Sequence, residues 1–430
     1  MAENKLTFGS VCSGIEAASF VLEPLDYQNL WLSEIDKFPS DFLRSKYPHS
    51  TNVGDMNDIP EMLRNGKLQA PDLLCGGTPC QAFSLAGWKN GLNDHRGQLT
   101  LKYIDILNEI DSIRENSGKN RAQFFWENVE GVLTDKTNAF GCFLAGLAGY
   151  DEPLVVKKWA NAGVVYGKTR NIAWRVLDAK YFGLPQQRRR IYVIGGGKDF
   201  FPENILFDKG TDIINDPYKP SKNYDGGLFD FCDEIEIPSD LVREIEGNHI
   251  EIFRTYTDCL YAAYGTKWNG NAAAFNGSLF VAQNGRLRRL TPIECERLMG
   301  FPDNYTLLPH CTLTNRFRAA GNSWAVNVIR WIMSRLNKPE LRKQESVFRD
   351  GLTLLKDFTY INGEYLNGAI YPYDFKLANF LDIIDVHPNE KLYISKQGCA
   401  GILRRKYERQ AGMNARLETV LLENSEYKQI

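Results

Sequence analysis

The chain opens on an apolar run, Leu6 to Cys12, whose composition predicts a strand buried on both faces. Ser13-Gly14 is the turn out of it, and Ile15 to about Leu25 follows with the spacing of a helix. Leu30 to Leu32 predicts a second strand, ending in Glu34 and Asp36. Asn52-Val-Gly-Asp55 is another turn that ends in an acid, expected after a third strand. Leu73-Leu74 predicts a fourth, running into Cys75-Gly-Gly-Thr-Pro79-Cys80. Gln123 to Trp126 is a further apolar strand, and it delivers Glu127-Asn128-Val129. Alternation across Gln186, Arg188 and Arg190 predicts that all three share one face of a strand, with a solvated basic face as the plain alternative.

From about Gly196 to Gly285 the periodicity weakens, and this stretch is expected to form a smaller separate domain. Thr291-Pro-Ile-Glu294 then spells a capping box with proline at the first helical position, starting a helix to about Met299. Arg318-Ala-Ala-Gly321-Asn322-Ser323-Trp324 is expected to open a last helix carrying Val326, Ile329, Trp331 and Ile332. Its first amides would suit a polar ligand group. Strands alternating with helices predict an α/β fold, whose ligands sit at the carboxyl ends of the strands. Gly14, Glu34, Asp55 and Cys80 would converge there.

Composition adds bounds. At 430 residues, 43% hydrophobic and 24% charged, this is an ordinary globular chain of two or three domains. A formal charge of -2 gives no global attraction to polyanions, so a nucleic acid would be held by local basic clusters. Nine scattered cysteines without a CxxC pair indicate free thiols, and five dispersed histidines point away from a metal site. No run is apolar enough for a signal region or a membrane span, so a cytoplasmic protein is expected.

Two residues carry the chemistry. Cys80 follows two glycines and the stiff Pro79, which would fix the direction of its thiol. It is either a small buried hydrophobe or a nucleophile whose pKa lies below the free value of about 8.5. Glu34 stands twenty positions after Gly14, where nucleotide-binding folds place the acid that takes ribose hydroxyls; a mere strand-end acid is the alternative. The full phosphate-cradling glycine motif is missing, so a ribose ligand without phosphates, S-adenosylmethionine, fits better. The segment after Cys80, through Asp94-His95-Arg96-Gly97, is a surface loop or a lid.

Five blocks stand in one order: Val11-Cys-Ser-Gly14, Gly-Gly-Thr-Pro-Cys80-Gln, Glu127-Asn-Val, Gln186-x-Arg188-x-Arg190 and Gly321-Asn-Ser. Together they resemble the DNA cytosine-5 methyltransferase family, especially its bacteriophage and bacterial restriction-modification members. The resemblance covers about residues 6 to 195 and 286 to 335. It implies a Rossmann-like S-adenosylmethionine-dependent methyltransferase domain with a smaller inserted target-recognition domain and a C-terminal extension. Residues 1–195 would be catalytic and cofactor-binding, 196–285 would recognise the target, 286–338 would complete the catalytic domain, and 339–430 would extend it without an assigned role.

The resemblance also implies roles. Cys80 would attack carbon 6 of a flipped-out cytosine, and Glu127, with a raised pKa, would bind its N3 and amine. Arg188 and Arg190 would hold the base oxygen and phosphates. Cys12, Ser13, Gly14, Glu34, Ile35, Asp55, Met56, Pro79, Asn322 and Ser323 would surround S-adenosylmethionine. Double-stranded DNA is the implied partner of a monomeric enzyme without metal, in a bacterial or phage-infected cell and associated with its nucleoid. Two features depart from the pattern: the first block reads Cys12-Ser-Gly-Ile-Glu16-Ala where an aromatic and more glycines are usual, and the tail is long. In that tail Gly398 to Arg409 resembles a segment of some phage methylases, or is simply a solvated basic helix. An RNA cytosine-5 methyltransferase and a catalytically dead DNA-binding protein are the rival functions.

Overall fold

The protein is described by a computed structural model that covers residues 5–79, 97–217, 239–266 and 273–426. Its contacts gather into two units, one of Met1–Asp178, Arg189–Ile213 and Ser323–Phe375, the other of Ala179–Arg188, Ile214–Asn322 and Lys376–Ile430.

In the first unit, β1 (Thr7–Val11), β2 (Gln28–Ser33), β3 (Thr51–Asn52), β4 (Leu73–Gly76) and β5 (Gln123–Val129) pair in parallel. β6 (Ala162–Tyr166), β7 (Asn171–Asp178) and β8 (Arg189–Gly196) continue the same sheet in antiparallel fashion, and β9 (Asp208–Gly210) leaves it. The second unit holds an antiparallel sheet of β10 (Val242–Ile245), β11 (Asn248–Ile252), β12 (Phe280–Gln283) and β13 (Arg286–Arg289). The chain then returns to the first unit with β14 (Gly351–Leu355), β15 (Phe358–Ile361) and β16 (Glu364–Asn367).

The large sheet runs β14-β6-β7-β8-β5-β4-β1-β2-β3. From the central β1 the chain steps outward to β2 and β3, then crosses back to β4 and β5. The strand order therefore reverses between β1 and β4, which is where an open α/β sheet leaves a crevice for a ligand. Helices cover its faces. Ala139–Ala148 is apolar nearly throughout, so it buries Phe140, Phe143, Leu144 and Leu147, and it stops at Gly149 with φ 78°.

Several predicted elements stand where the pattern put them. The helix after β1 is shorter than expected, Ala17–Leu22, because Pro24 turns Glu23–Leu25 into a tighter single turn. Thr291 caps Pro292–Met299 with both bonds of the capping box.

Three expectations need correction. β8 begins at Arg189, so Gln186 and Arg188 precede the strand and do not share a strand face with Arg190. Leu184-Pro185 upstream keeps that stretch irregular, and Ala179–Arg188 belongs to the second unit. Gly321 and Asn322 close a helix, Leu313–Asn322, instead of opening one. The last predicted helix is Val326–Leu336, whose N-cap Ala325 offers no side-chain bond to its first amides. Within 398–409, Cys399, Ile402 and Leu403 are buried in the helix Lys396–Glu408, so the run is amphipathic and not simply solvated.

The tail after 339 is built into both units. β14 pairs with β6 as the edge of the large sheet, and β16 pairs with β9. In the second unit, Lys396–Glu408 and Ala415–Glu423 bury Cys399, Ile402, Leu403, Leu417, Val420 and Leu421 against Phe253, Phe280, Ala282 and Leu287. Among the described residues, no helix is long and apolar enough to cross a membrane. Nor, among those described residues, is any group of three or more His, Cys, Asp or Glu gathered to hold a metal.

Candidate active site

The crevice side of β1 begins with a turn of unusual backbone. Cys12, Gly14 and Glu16 have φ of 52°, 55° and 58°, the left-handed region that only Gly14 enters freely. Ser13 ties the turn to β2: its amide donates to Ser33 O at 3.1 Å, and Ser33 N donates back to Ser13 Oγ at 3.1 Å. Gly14 N donates to Glu34 Oε2 at 2.8 Å, while Asp36 N donates to Glu34 Oε1 at 2.8 Å. Asn52 fixes the backbone of Glu34 from β3, accepting from its amide and donating to its carbonyl, each at 3.0 Å.

Asp55 follows two residues after Val53 and accepts from Asn57 N at 2.9 Å. Cys12 Sγ lies 3.8 Å from Met56 Sδ. Burial first, then the charges of Glu34 and Asp55, pushes the Cys12 thiol up to about 12. Both carboxylates thus lie near the Cys12 thiol. Ile35, beside them, holds its apolar side chain 73% exposed. A carboxylate pair, an open left-handed turn and an uncovered aliphatic surface suit a ligand with a cationic centre, a ribose and a flat apolar ring. S-adenosylmethionine has all three, so Cys12, Ser13, Gly14, Glu34, Ile35, Asp55 and Met56 form a compatible set.

The second half of the crevice lies at the ends of β4 and β5. Glycine is required at 77, where an added Cβ would come within 2.8 Å of Trp324 Nε1. Trp324 also meets Phe125 edge-on, with ring centroids 5.2 Å apart. Thr78 is a buried node. Its hydroxyl accepts from Trp126 Nε1 at 3.0 Å and lies 3.0 Å from Thr100 Oγ1; its carbonyl accepts from Asn128 Nδ2 at 3.0 Å. Pro79 is exposed, and Cys80 and the segment 81–96 lie outside the described residues.

Glu127 sits near the end of β5, 8% exposed, opposite Tyr192 of β8. Arg190 reaches across from the same strand pair and places Nε 3.2 Å from Glu127 Oε1. Arg189, the neighbouring residue of β8, pairs with Glu130 just past the end of β5 at 2.5 Å. Arg188 behaves differently. It is buried in the second unit, donating to Leu260 O at 3.0 Å and Gly321 O at 3.2 Å. Gln186 is also buried there, donating to Leu298 O at 3.0 Å and accepting from Leu260 N at 2.8 Å.

The fold thus brings together the β1 and β2 residues with Asp55 and Met56, and separately Glu127 with Arg190. Ser323 falls in the first unit and Asn322 in the second. Sequence patterns missed Glu16, Thr78, Trp126 and Trp324. The adjacency of Thr78 to Pro79-Cys80 and of Trp324 to Asn322-Ser323 was the available signal.

An open α/β sheet with acids at its strand ends belongs to the class of nucleotide-binding α/β folds. The profile of the family described as C-5 cytosine-specific DNA methylase matches residues 6–338. The chain belongs to that family, whose reaction moves a methyl group from S-adenosylmethionine to carbon 5 of cytosine in DNA. Among curated relatives, the DNA N-6-adenine-methyltransferase of Escherichia phage P1 is 32% identical across 79% of this chain, which spans only 62% of the phage protein. The type II methyltransferase M.HhaI of Haemophilus parahaemolyticus is 27% identical over 76% of this chain and 93% of its own length. M.DsaV of Dactylococcopsis salina is 28% identical over 81% and 91% respectively. Among solved structures, Entamoeba histolytica methyltransferase EhMeth has a TM-score of 0.47 at 17% identity, over 78% of this chain and 98% of that one.

Proposed function

We propose that this chain methylates carbon 5 of cytosine at a specific sequence in double-stranded DNA, acting as a monomer on DNA of the nucleoid. The observation that supports it best is the Glu127–Arg190 pair at the end of β5, tied through Asn128 to the chain just ahead of Cys80.

Carbon 5 of cytosine is a weak nucleophile. Addition of the Cys80 thiolate at carbon 6 makes an enamine whose carbon 5 can attack an electrophile. Glu127 hydrogen-bonds N3 and the exocyclic amine of the base, and Arg190 holds both Glu127 and the base oxygen. Arg188, turned to the Leu260 and Gly321 carbonyls, contributes by shaping the polar segment that leads into β8. S-adenosylmethionine, when bound by Glu34, Asp55 and the turn at Gly14, supplies the methyl group. Pro79 and Ser323, both in the first unit, are assigned to the same ligand. Loss of the carbon-5 proton and release of Cys80 restore the ring. The target base is reached by flipping it out of the duplex.

Residues 196–285 are the proposed target-recognition element, and residues 286–338 are proposed to complete the catalytic domain. Duplex readout needs donors and acceptors in a groove and cations on phosphates, which a bare catalytic sheet does not provide.

The name of the phage P1 relative favours a second reading, methylation of adenine N6. That reaction alkylates an exocyclic amine and needs no thiol adduct. The Pro79-Cys80 and Glu127-Asn128 sequence blocks match the cytosine chemistry instead. The decisive experiment incubates the protein with labelled S-adenosylmethionine and duplex DNA, or tRNA, and separates the product nucleosides. Labelled 5-methyldeoxycytidine from DNA is expected; N6-methyldeoxyadenosine, or label only in tRNA, would overturn the proposal.

A further inference from the structure

We infer that Glu16 is a positioning residue for the cofactor, holding the left-handed turn Cys12–Gly14 in its binding shape from beneath; this rests on the S-adenosylmethionine reading above. The turn alternates left-handed residues at 12, 14 and 16, and two of these are not glycine. Non-glycine residues stay in that region only when their surroundings over-determine it.

Glu16 supplies that constraint. It is 1% exposed and caps the helix Ala17–Leu22, accepting at Oε1 from Ser19 N and Ser19 Oγ, both at 3.0 Å. Its other oxygen, Oε2, accepts from Ser10 Oγ at 3.0 Å. Ser10 is the penultimate residue of β1, and Ser13 in the turn donates to Ser10 O at 3.2 Å. The Glu16 amide closes the loop on Ser13 O at 2.8 Å. Asn29 of β2 joins from the far side, donating to Ser19 Oγ at 3.2 Å, and Tyr47 OH donates to Glu16 O at 3.4 Å.

One side chain therefore locks the end of β1, the start of the following helix and, through serines, the turn itself. Helix caps are usually solvated, whereas this one is buried, and burying an acid is costly unless it serves a structure that water would disturb. Burial pushes the Glu16 carboxyl up to about 7, against the lowering pull of Ser19, Ser10 and Ser13. Glu16 does not face the ligand side of the turn, where Gly14 N meets Glu34; it acts through Ser10 and Ser13. This gives a reason for the departure at Glu16: the shape is held by a buried acceptor.

The test measures the S-adenosylmethionine dissociation constant by calorimetry on the full chain, with kcat and KM for duplex DNA alongside. Loss of two or three buried hydrogen bonds in Glu16→Ala should raise the cofactor constant about tenfold, with kcat at saturating cofactor and KM for DNA unchanged. Glu16→Gln keeps the acceptor for Ser19 and a polar contact to Ser10, and should stay within about threefold of wild type. Should Glu16→Ala fail to fold, Ser10→Ala removes the hydroxyl that joins Glu16 Oε2 to Ser13 Oγ while sparing the acid, and the same selective weakening is expected. Wild-type cofactor affinity in Glu16→Ala or in Ser10→Ala overturns the inference, as does a Gln variant as weak as Ala. A wild-type protein that binds no S-adenosylmethionine instead overturns the cofactor reading itself.

Discussion

Asn128 donates from Nδ2 to the main-chain carbonyl of Thr78 at 3.0 Å, so the end of β5 holds the chain two positions ahead of Cys80. Asn128 Oδ1 meanwhile accepts from Val129 N at 2.8 Å, which fixes the orientation of the amide. Asn128→Ala would leave a buried carbonyl without this donor, at a cost of about 1–3 kcal/mol. If that cost falls on the placement of the nucleophile, kcat should drop by about tenfold or more while the S-adenosylmethionine constant stays put. Single-turnover methylation with parallel calorimetry checks this, and an equal fall in cofactor affinity would mean general damage to the sheet.

The Glu127–Arg190 pair makes a different kind of prediction, because its two side chains are only 10% and 15% exposed. Removing one partner of a mostly buried pair strands the other charge. Arg190→Met should therefore destabilise the fold by about 3 kcal/mol, and adding Glu127→Gln should recover a good part of it. Activity should not return in the double variant. Denaturant unfolding of the two single variants and the double variant decides whether the pair is coupled.

Glu16 predicts a pH dependence of stability. Its carboxyl is raised from 4.5 to about 7, so in that window the folded state holds a proton that the unfolded state has lost. Stability from this group is complete below about 4.5 and is lost as pH rises through about 7. Across that span wild type should lose about 3 kcal/mol relative to Glu16→Gln, which has no such proton. Parallel unfolding curves of the two proteins at pH 4.5 and 8 measure it, and a constant difference would refute the raised value.

The tail and the insert should fail in different ways. Arg175 of β7 is fully buried and donates to Ala369 O and Tyr371 O, both at 2.8 Å, so residues beyond 339 satisfy a core cation. Ending the chain at Lys338 would strip those carbonyls, the edge strand β14 and two helices of buried side chains. An unfolded or insoluble product is expected, and Leu403→Ala alone should cost about 2–5 kcal/mol. Changes to polar or basic residues in 196–285 should instead shift which sites are methylated, read by bisulfite sequencing of host DNA. A soluble, folded truncation with an altered target motif would reverse these assignments.

These outcomes also mark where the sequence was legible. Strong local signals carried through: the apolar β1 with its Ser13-Gly14 turn and the Thr291–Glu294 capping box, each decided by neighbours a few residues away. Alternation misled at Gln186 and Arg188, because period-2 spacing continues in sequence even where Pro185 prevents a strand. The helix Leu313–Asn322 carries few apolar residues, so its period was faint, and its last two residues looked like the opening of the next helix. The tail could not be placed at all from local pattern. β14 finds its partner in β6, almost two hundred residues earlier, and no spacing rule encodes that pairing. Thr78 was hidden for the same reason, since Trp126 and Asn128 reach it only after β4 and β5 pair.

The most direct test of the account concerns Cys80. Duplex DNA carrying 5-fluorocytosine at the methylated position cannot lose its carbon-5 substituent after transfer, so the thiol adduct is trapped. Wild-type protein with S-adenosylmethionine should form a complex that survives denaturation, and peptide mass spectrometry should place the modified base on Cys80. Cys80→Ala should form none while still binding cofactor and DNA. Absence of an adduct in the wild type, or an adduct on another residue, would contradict a cytosine-5 mechanism built on Cys80.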